Sequence, residues 1–175
     1  EALKKLFCDQ ITKPDPKSNR SWAALAGAIY ARSINDANVA VVERLDKAYR
    51  DEKDPMFKSA FALSLGLLNV TPMKDQIFED FKDRKEEEFK GYCAVAMGFM
   101  NHTDAAEMLN DICRNKTITP TYRLQVATGL GLMGDDQAVG TLVDTLQSAQ
   151  TLGVSSAVAK ALGLLLKRKD DYYDD

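Results

Sequence analysis

An all-helical fold of stacked hairpins is what the amino-acid sequence predicts, and three observations lead there. One glycine-bearing helical pattern recurs five times. A second apolar pattern follows each copy after a short polar turn. No strand-like alternation of apolar and polar residues interrupts them. With 175 residues, 45% of them apolar and 28% charged, and a net charge of −3, the chain has the make-up of one soluble domain with a core of its own. No apolar run approaches the ~20 residues that a bilayer-crossing helix needs, so the sequence gives no membrane segment.

The first pattern fixes the A helices. The segments Trp22-Ala-Ala-Leu-Ala-Gly27, Phe61-Ala-Leu-Ser-Leu-Gly66, Cys93-Ala-Val-Ala-Met-Gly98, Val126-Ala-Thr-Gly-Leu-Gly131 and Val158-Ala-Lys-Ala-Leu-Gly163 superimpose without a gap, and their glycines are 39, 32, 33 and 32 residues apart. Four residues before each glycine stands an alanine, and eight before it, in three copies, stands Lys58, Lys90 or Arg123. Glycine inside a helix costs about 1 kcal/mol relative to alanine. Its return at one position therefore implies close approach of a neighbouring helix. The superposition places Trp22, Phe61, Cys93, Val126 and Val158 in one core column. Asp54-Pro55 and Thr119-Pro120 mark helix starts, each a capping side chain followed by a proline at the first helical position.

The second pattern gives the B helices: Val41, Val42 and Leu45; Ile77, Phe78 and Phe81; Met108, Leu109 and Ile112; Leu142, Val143 and Leu146. Asp36, Thr71-Pro72, Asp104 with Glu107 three residues on, and Asp136 stand at their entries as expected caps. Connections this short make A and B antiparallel neighbours. Ala2, Leu3 and Leu6 match the B pattern, whereas no B triplet follows Leu165. The expected units are thus 1–17 (partial), 18–53, 54–85, 86–118, 119–152 and 153–175 (partial), one repeat domain cut from a longer protein. The first spacing leaves six or seven extra residues, assigned to 32–37, to a B helix lengthened as far as Tyr49, and to 50–54, and read as length variation.

The basic residue, the alanine and the Leu-Gly-Leu-Leu-like close of each A helix, followed by a polar turn and the apolar triplet, resemble the HEAT repeat family, in particular its short bacterial and archaeal form. That resemblance covers essentially the whole chain. It implies an armadillo-like, right-handed α-solenoid, an α-α superhelix of about five hairpins and ten helices with the B helices lining the concave side. It defines packing rather than chemistry.

HEAT-like folds include enzymes, so the residues decide whether chemistry is expected. Deoxyhypusine hydroxylases bind iron through paired His-Glu motifs, but this chain has one histidine, His102, in the turn 101–103, and it reads as solvated. Cys93 sits in the core column as a packing thiol, Cys113 aligns with Lys82, and Cys8 closes the opening helix. None has a histidine nearby in sequence to activate it. Their scatter over different repeats suggests no disulfide and leans toward a reducing, cytoplasmic compartment. No P-loop, dinucleotide fingerprint or Ser-His-Asp set occurs. The reading is therefore no enzyme, no cofactor and no metal.

Positions two, three and six after each first triplet residue point away from the apolar stripe. They carry Glu43, Arg44, Lys47, Glu79, Asp80, Asp83, Asp111, Arg114 and Asp144, with Asn110, Thr145 and Ser148 neutral. Six acids against three bases repel phosphate, which argues against nucleic acid, as bound by the HEAT-like DNA glycosylases. The expected function is a protein-protein interaction scaffold presenting this mildly acidic concave face to a protein partner or to another domain of the parent chain. Two alternatives stand beside it. An accessory or lyase-type domain acting on a chromophore or protein substrate requires a pocket of several hundred Å3 with convergent polar groups. A purely structural spacer requires no partner.

Overall fold

A computed structural model describes residues 2–12, 17–34, 39–134, 136–147 and 151–173. These form ten α-helices: α1 (Ala2–Thr12), α2 (Lys17–Ser33), α3 (Val39–Asp51), α4 (Pro55–Leu67), α5 (Lys74–Asp83), α6 (Glu87–Phe99), α7 (Ala106–Arg114), α8 (Pro120–Met133), α9 (Gln137–Gln147) and α10 (Leu152–Tyr173). Short 3-10 turns, Thr71–Met73 and Thr103–Ala105, lead into α5 and α7, and there is no strand among the described residues. The fold is all-α. The five glycine-bearing helices, α2, α4, α6, α8 and α10, pack each on the next, and α1, α3, α5, α7 and α9 each pack on the glycine-bearing helix that follows. One contiguous core runs from Cys8 to Leu165.

Local sequence sets the ends of these helices. The Asp54 carboxylate accepts from the backbone N–H groups of Met56 (2.9 Å) and Phe57 (3.4 Å), and the Thr119 hydroxyl accepts from that of Tyr122 (3.3 Å), each with its proline in the first turn. Two expected caps differ. Thr71-Pro72 opens a 3-10 turn, and Asp104 with Glu107 makes no capping box, because the 3-10 turns already present the α5 and α7 N-termini to backbone partners. Asp36 lies outside the described residues.

The glycine-bearing helices end on a device that recurs with the repeat. Three residues after the column glycine, Asn69 (φ 52°), Asn101 (φ 53°) and Gly134 (φ 74°) are left-handed, a conformation that only Gly, and to a lesser degree Asn, adopts cheaply. The following N–H groups, of Val70 and His102, reach back to the carbonyls of Leu65 and Met97 at 3.0 Å. This is the bonding of a Schellman turn, and it folds the next side chain inward.

The glycine column does its expected work at the centre of the molecule. A Cβ added at Gly66 would lie 2.6 Å from Ala96 Cα in α6, one at Gly98 would lie 2.5 Å from the Gly129 carbonyl oxygen in α8, and one at Gly131 would lie 2.8 Å from Ala161 Cα in α10. Each glycine thus admits the backbone of the next helix at the position two residues before that helix's own column glycine. At the ends it does not: among the described residues Gly27 meets only the Phe7 side chain, at 3.2 Å, and nothing lies within 4 Å of a Cβ at Gly163.

The first copy departs from the expected column in its side chains too. Phe61, Cys93, Val126 and Val158 are wholly buried, but Trp22 is 72% exposed, and Ala24 and Ala28 face the core instead. Matching glycines put α2 out of phase because α1 packs beside it, with Phe7 against Gly27 and Tyr30. The B helices shift likewise. Burial follows a strict 32-residue step through Leu45, Ile77 and Leu109, and through Tyr49, Phe81, Cys113 and Thr145. Tyr49 is therefore a core residue rather than part of an insertion, Cys113 is buried where Lys82 was its expected equivalent, and Met108 is 37% exposed.

Candidate functional site

The polar face of the B helices can now be placed residue by residue. Glu43, Lys47, Glu79, Asp83, Asp111, Arg114 and Asp144 are exposed, on α3, α5, α7 and α9 in turn, and Arg44 is half-buried. Two short-range ion pairs lie on this face, Lys82 with Glu79 (2.6 Å) and Arg114 with Asp111 (3.6 Å). Being exposed, they add little stability. Asn110 and Thr145, expected on the same face, are buried by the change of register, and Ser148 lies outside the described residues.

Asp80 departs from the others because it is turned into a junction of three helices. It accepts a hydrogen bond from the Tyr49 hydroxyl of α3 at 2.7 Å, pairs with the Lys58 ammonium of α4 at 2.8 Å, and accepts from the Gln76 amide at 3.1 Å. Burial alone would raise its pKa; the bonds from Lys58 and Tyr49 outweigh that and hold the carboxyl below its ordinary value of 3.8. Burial, followed by the charges and hydrogen bonds around it, pushes the Tyr49 phenol far above its ordinary range. Asp80 is thus an interhelical clamp.

The same junction explains the basic residue of the repeat. Lys58 Nζ lies 4.5 Å from the centre of the Tyr49 ring, and Lys90 Nζ lies 4.7 Å from that of Phe81, the next residue in the same column. Arg123, one step further, donates to the Asn115 carbonyl oxygen at 2.7 Å. Each cation joins its own helix to the B helix before it.

His102 is not solvated. As the residue after left-handed Asn101 it is folded under the chain to 2% exposure, edge-on to the Phe78 ring at 5.2 Å. Neither ring nitrogen has a hydrogen-bond partner among the described residues, and Nε2 stands 3.8 Å from the exposed Asp75 carboxylate. Burial, then the Lys74 charge, lowers its pKa against the opposing pull of Asp104 and Asp75. Cys8, Cys93 and Cys113 are buried free thiols; burial raises the pKa of Cys93 and Cys113, and the Cys113 sulfur lies 3.5 Å from the Thr145 hydroxyl. No group of three or more His, Cys, Asp or Glu able to hold a metal occurs among the described residues, and no described helix is long and apolar enough to cross a membrane.

A concave feature among the described residues lies elsewhere, on the A helices. A half-open groove of about 300 Å3 crosses α2, α4 and α6. Its walls include Trp22 and Leu25, Met56 and Phe57, Leu63 and Tyr92. On α4 the groove residues 56, 60 and 63 stand on the face opposite Lys58, Ala62 and Leu65, which point at the core. Glu88 is its one charged lining residue, and Ser21 and Ser59 supply hydroxyls. The Ser59 hydroxyl donates to the Met56 carbonyl oxygen at 2.6 Å, while that of Ser21, a residue 8% exposed, has no partner among the described residues.

The groove went unread in the sequence because Trp22 was assigned to the core; its signal was a tryptophan where later copies have smaller or aliphatic residues beside Ala24. Its polar lining is limited to Glu88, Tyr92 and the hydroxyls of Ser21 and Ser59. No protein-family model and no curated protein matches the chain.

Proposed function

We propose that the protein is a helical-repeat binding module, a HEAT-like α-solenoid that presents the polar face of its B helices to a basic surface of a protein partner. The observation that carries this is the exposure of Glu43, Glu79, Asp83, Asp111 and Asp144 on four successive B helices. Charges so arranged, with Lys47, Lys82 and Arg114 among them, form a mildly acidic strip, and such a surface steers association and selects charge-complementary partners. Asp80 is excluded from the strip because its carboxylate is committed to Tyr49 and Lys58.

The test reverses Glu79, Asp83 and Asp111 to Lys together and leaves Asp80 in place. Random twelve-residue peptides displayed on phage are panned against the unaltered protein, and the enriched peptides are assayed on both forms. The expected outcome is enrichment of Lys and Arg, with binding at least tenfold weaker to the reversed form at unchanged helix content. Equal binding to both forms removes the B-helix face from the function.

A further inference from the structure

The groove across α2, α4 and α6 is formed by helices other than those that carry Glu43, Glu79, Asp83, Asp111 and Asp144. We infer that it binds a short extended segment of a protein partner in which a lysine or arginine side chain is flanked by a large apolar residue. Its volume, about 300 Å3, stands at the lower end of ligand sites, ~300–1,000 Å3, which suits one or two side chains rather than a folded surface. Trp22, Phe57 and Tyr92 bring an aromatic ring from each of α2, α4 and α6 to one cavity, and Leu25, Met56 and Leu63 complete an apolar wall.

Charge complementarity selects the occupant. No cation lines the groove among the described residues, and the single lining charge is the exposed carboxylate of Glu88. Glu88 stands in the acidic first turn of α6 beside Glu87. An aliphatic stem fits the apolar wall, and an ammonium or guanidinium head gains from both the carboxylate and the aromatic rings. A buried hydroxyl without a partner is costly, and that of Ser21, a residue lining the groove, has no partner among the described residues. Trp22 at 72% exposure and Met56 at 60% are the apolar surface that binding would cover.

Trp22 is the only tryptophan of the chain, so its fluorescence reports the groove alone. The probe is acetyl-Ala-Leu-Lys-Leu-Ala-amide, with the same peptide carrying Gln for Lys as its control. The lysine peptide is expected to shift Trp22 emission to the blue, to reduce acrylamide quenching, and to half-saturate at a concentration at least fivefold below the glutamine peptide. Glu88→Gln should abolish that preference, and Met56→Glu, an exposed change that puts a charge into the apolar wall, should weaken the glutamine peptide at unchanged helix content. Reversal of Glu79, Asp83 and Asp111 should leave the titration unchanged, which separates failure of this site from failure of the acidic strip. The inference is overturned if the lysine peptide leaves the emission unaltered, or if the preference survives Glu88→Gln. It is overturned equally if n-butylammonium matches the peptide in affinity, which makes the site one for free amines, or if raising the protein concentration alone shifts the emission, which assigns the groove to a second copy.

Discussion

The centre of the molecule and its N-terminal edge carry the same motif and use it differently. In α4, α6 and α8 the column glycine admits the backbone of the next helix, the residue five before it (Phe61, Cys93 or Val126) is buried, and the basic residue eight before it joins the preceding B helix to its own. In α2 the glycine faces a side chain, Trp22 looks outward, and Arg20 takes up the basic role, donating to the Ile11 carbonyl oxygen at 2.9 Å and standing 3.7 Å from Glu52. A repeat motif thus states what a helix can do. The neighbours on each side decide whether it does so, and the edge of the array, relieved of packing, holds the accessible aromatic groove.

The sharpest way to break this comparison is to truncate equivalent positions. Phe61→Ala should cost about 3–5 kcal/mol, the range for emptying a buried aromatic site, while Trp22→Ala should stay within about 0.5 kcal/mol, as for other exposed positions. Urea midpoints of the two variants measure the difference, and equal losses would put Trp22 back in the core. The glycines come next. Gly98→Ala drives a methyl into the Gly129 carbonyl and should cost about 1–3 kcal/mol. Gly163→Ala meets open space and should gain up to about 1 kcal/mol from helix propensity alone. Thermal melts that move in the same direction for both would show that the column has no bearing on packing.

The smallest effect sharpens the polar contrast through pH. His102 has a pKa lowered from 6.5 in the folded chain, so below that value the unfolded chain takes up the proton first, and stability falls as the solution is acidified toward the folded value. Asp80, lowered from 3.8, contributes stability that is present above its unfolded value and is lost as pH falls through the folded one. Urea midpoints between pH 8 and pH 3 should therefore fall in two stages. His102→Asn should flatten the upper stage and Asp80→Asn the lower. An upper stage that persists in His102→Asn would place the titrating group elsewhere.

Much of the helical organisation was legible because it is written in local chemistry. Asp54-Pro55 and Thr119-Pro120 cap where their side chains predict, and the glycine spacing locates the helices whose backbones touch. The site was less legible, since exposure on a B helix depends on phase. A step of 32 residues from Phe81 lands on Cys113, whereas matching triplets by their first apolar residue lands on Ile112, and that single place moves Asn110 from solvent to interior. Asp80 and Asp83 look alike in sequence. Only the arrival of Tyr49 and Lys58 from two other helices makes one a clamp and leaves the other on the surface. His102 was misread for a related reason: the left-handed conformation of Asn101, not the polarity of the turn, decides where the next side chain goes.

The three buried thiols have a use that follows from their distribution. Cys8 lies in α1, Cys93 in α6 and Cys113 in α7, so they sample the edge and the centre of the same molecule. Covered thiols react with a labelling reagent only when their segment opens. Rates of modification under native conditions, resolved by mass, would therefore act as three clocks on one chain. If α1 detaches before the glycine-interlocked helices, Cys8 is labelled first and Cys93 and Cys113 later and together.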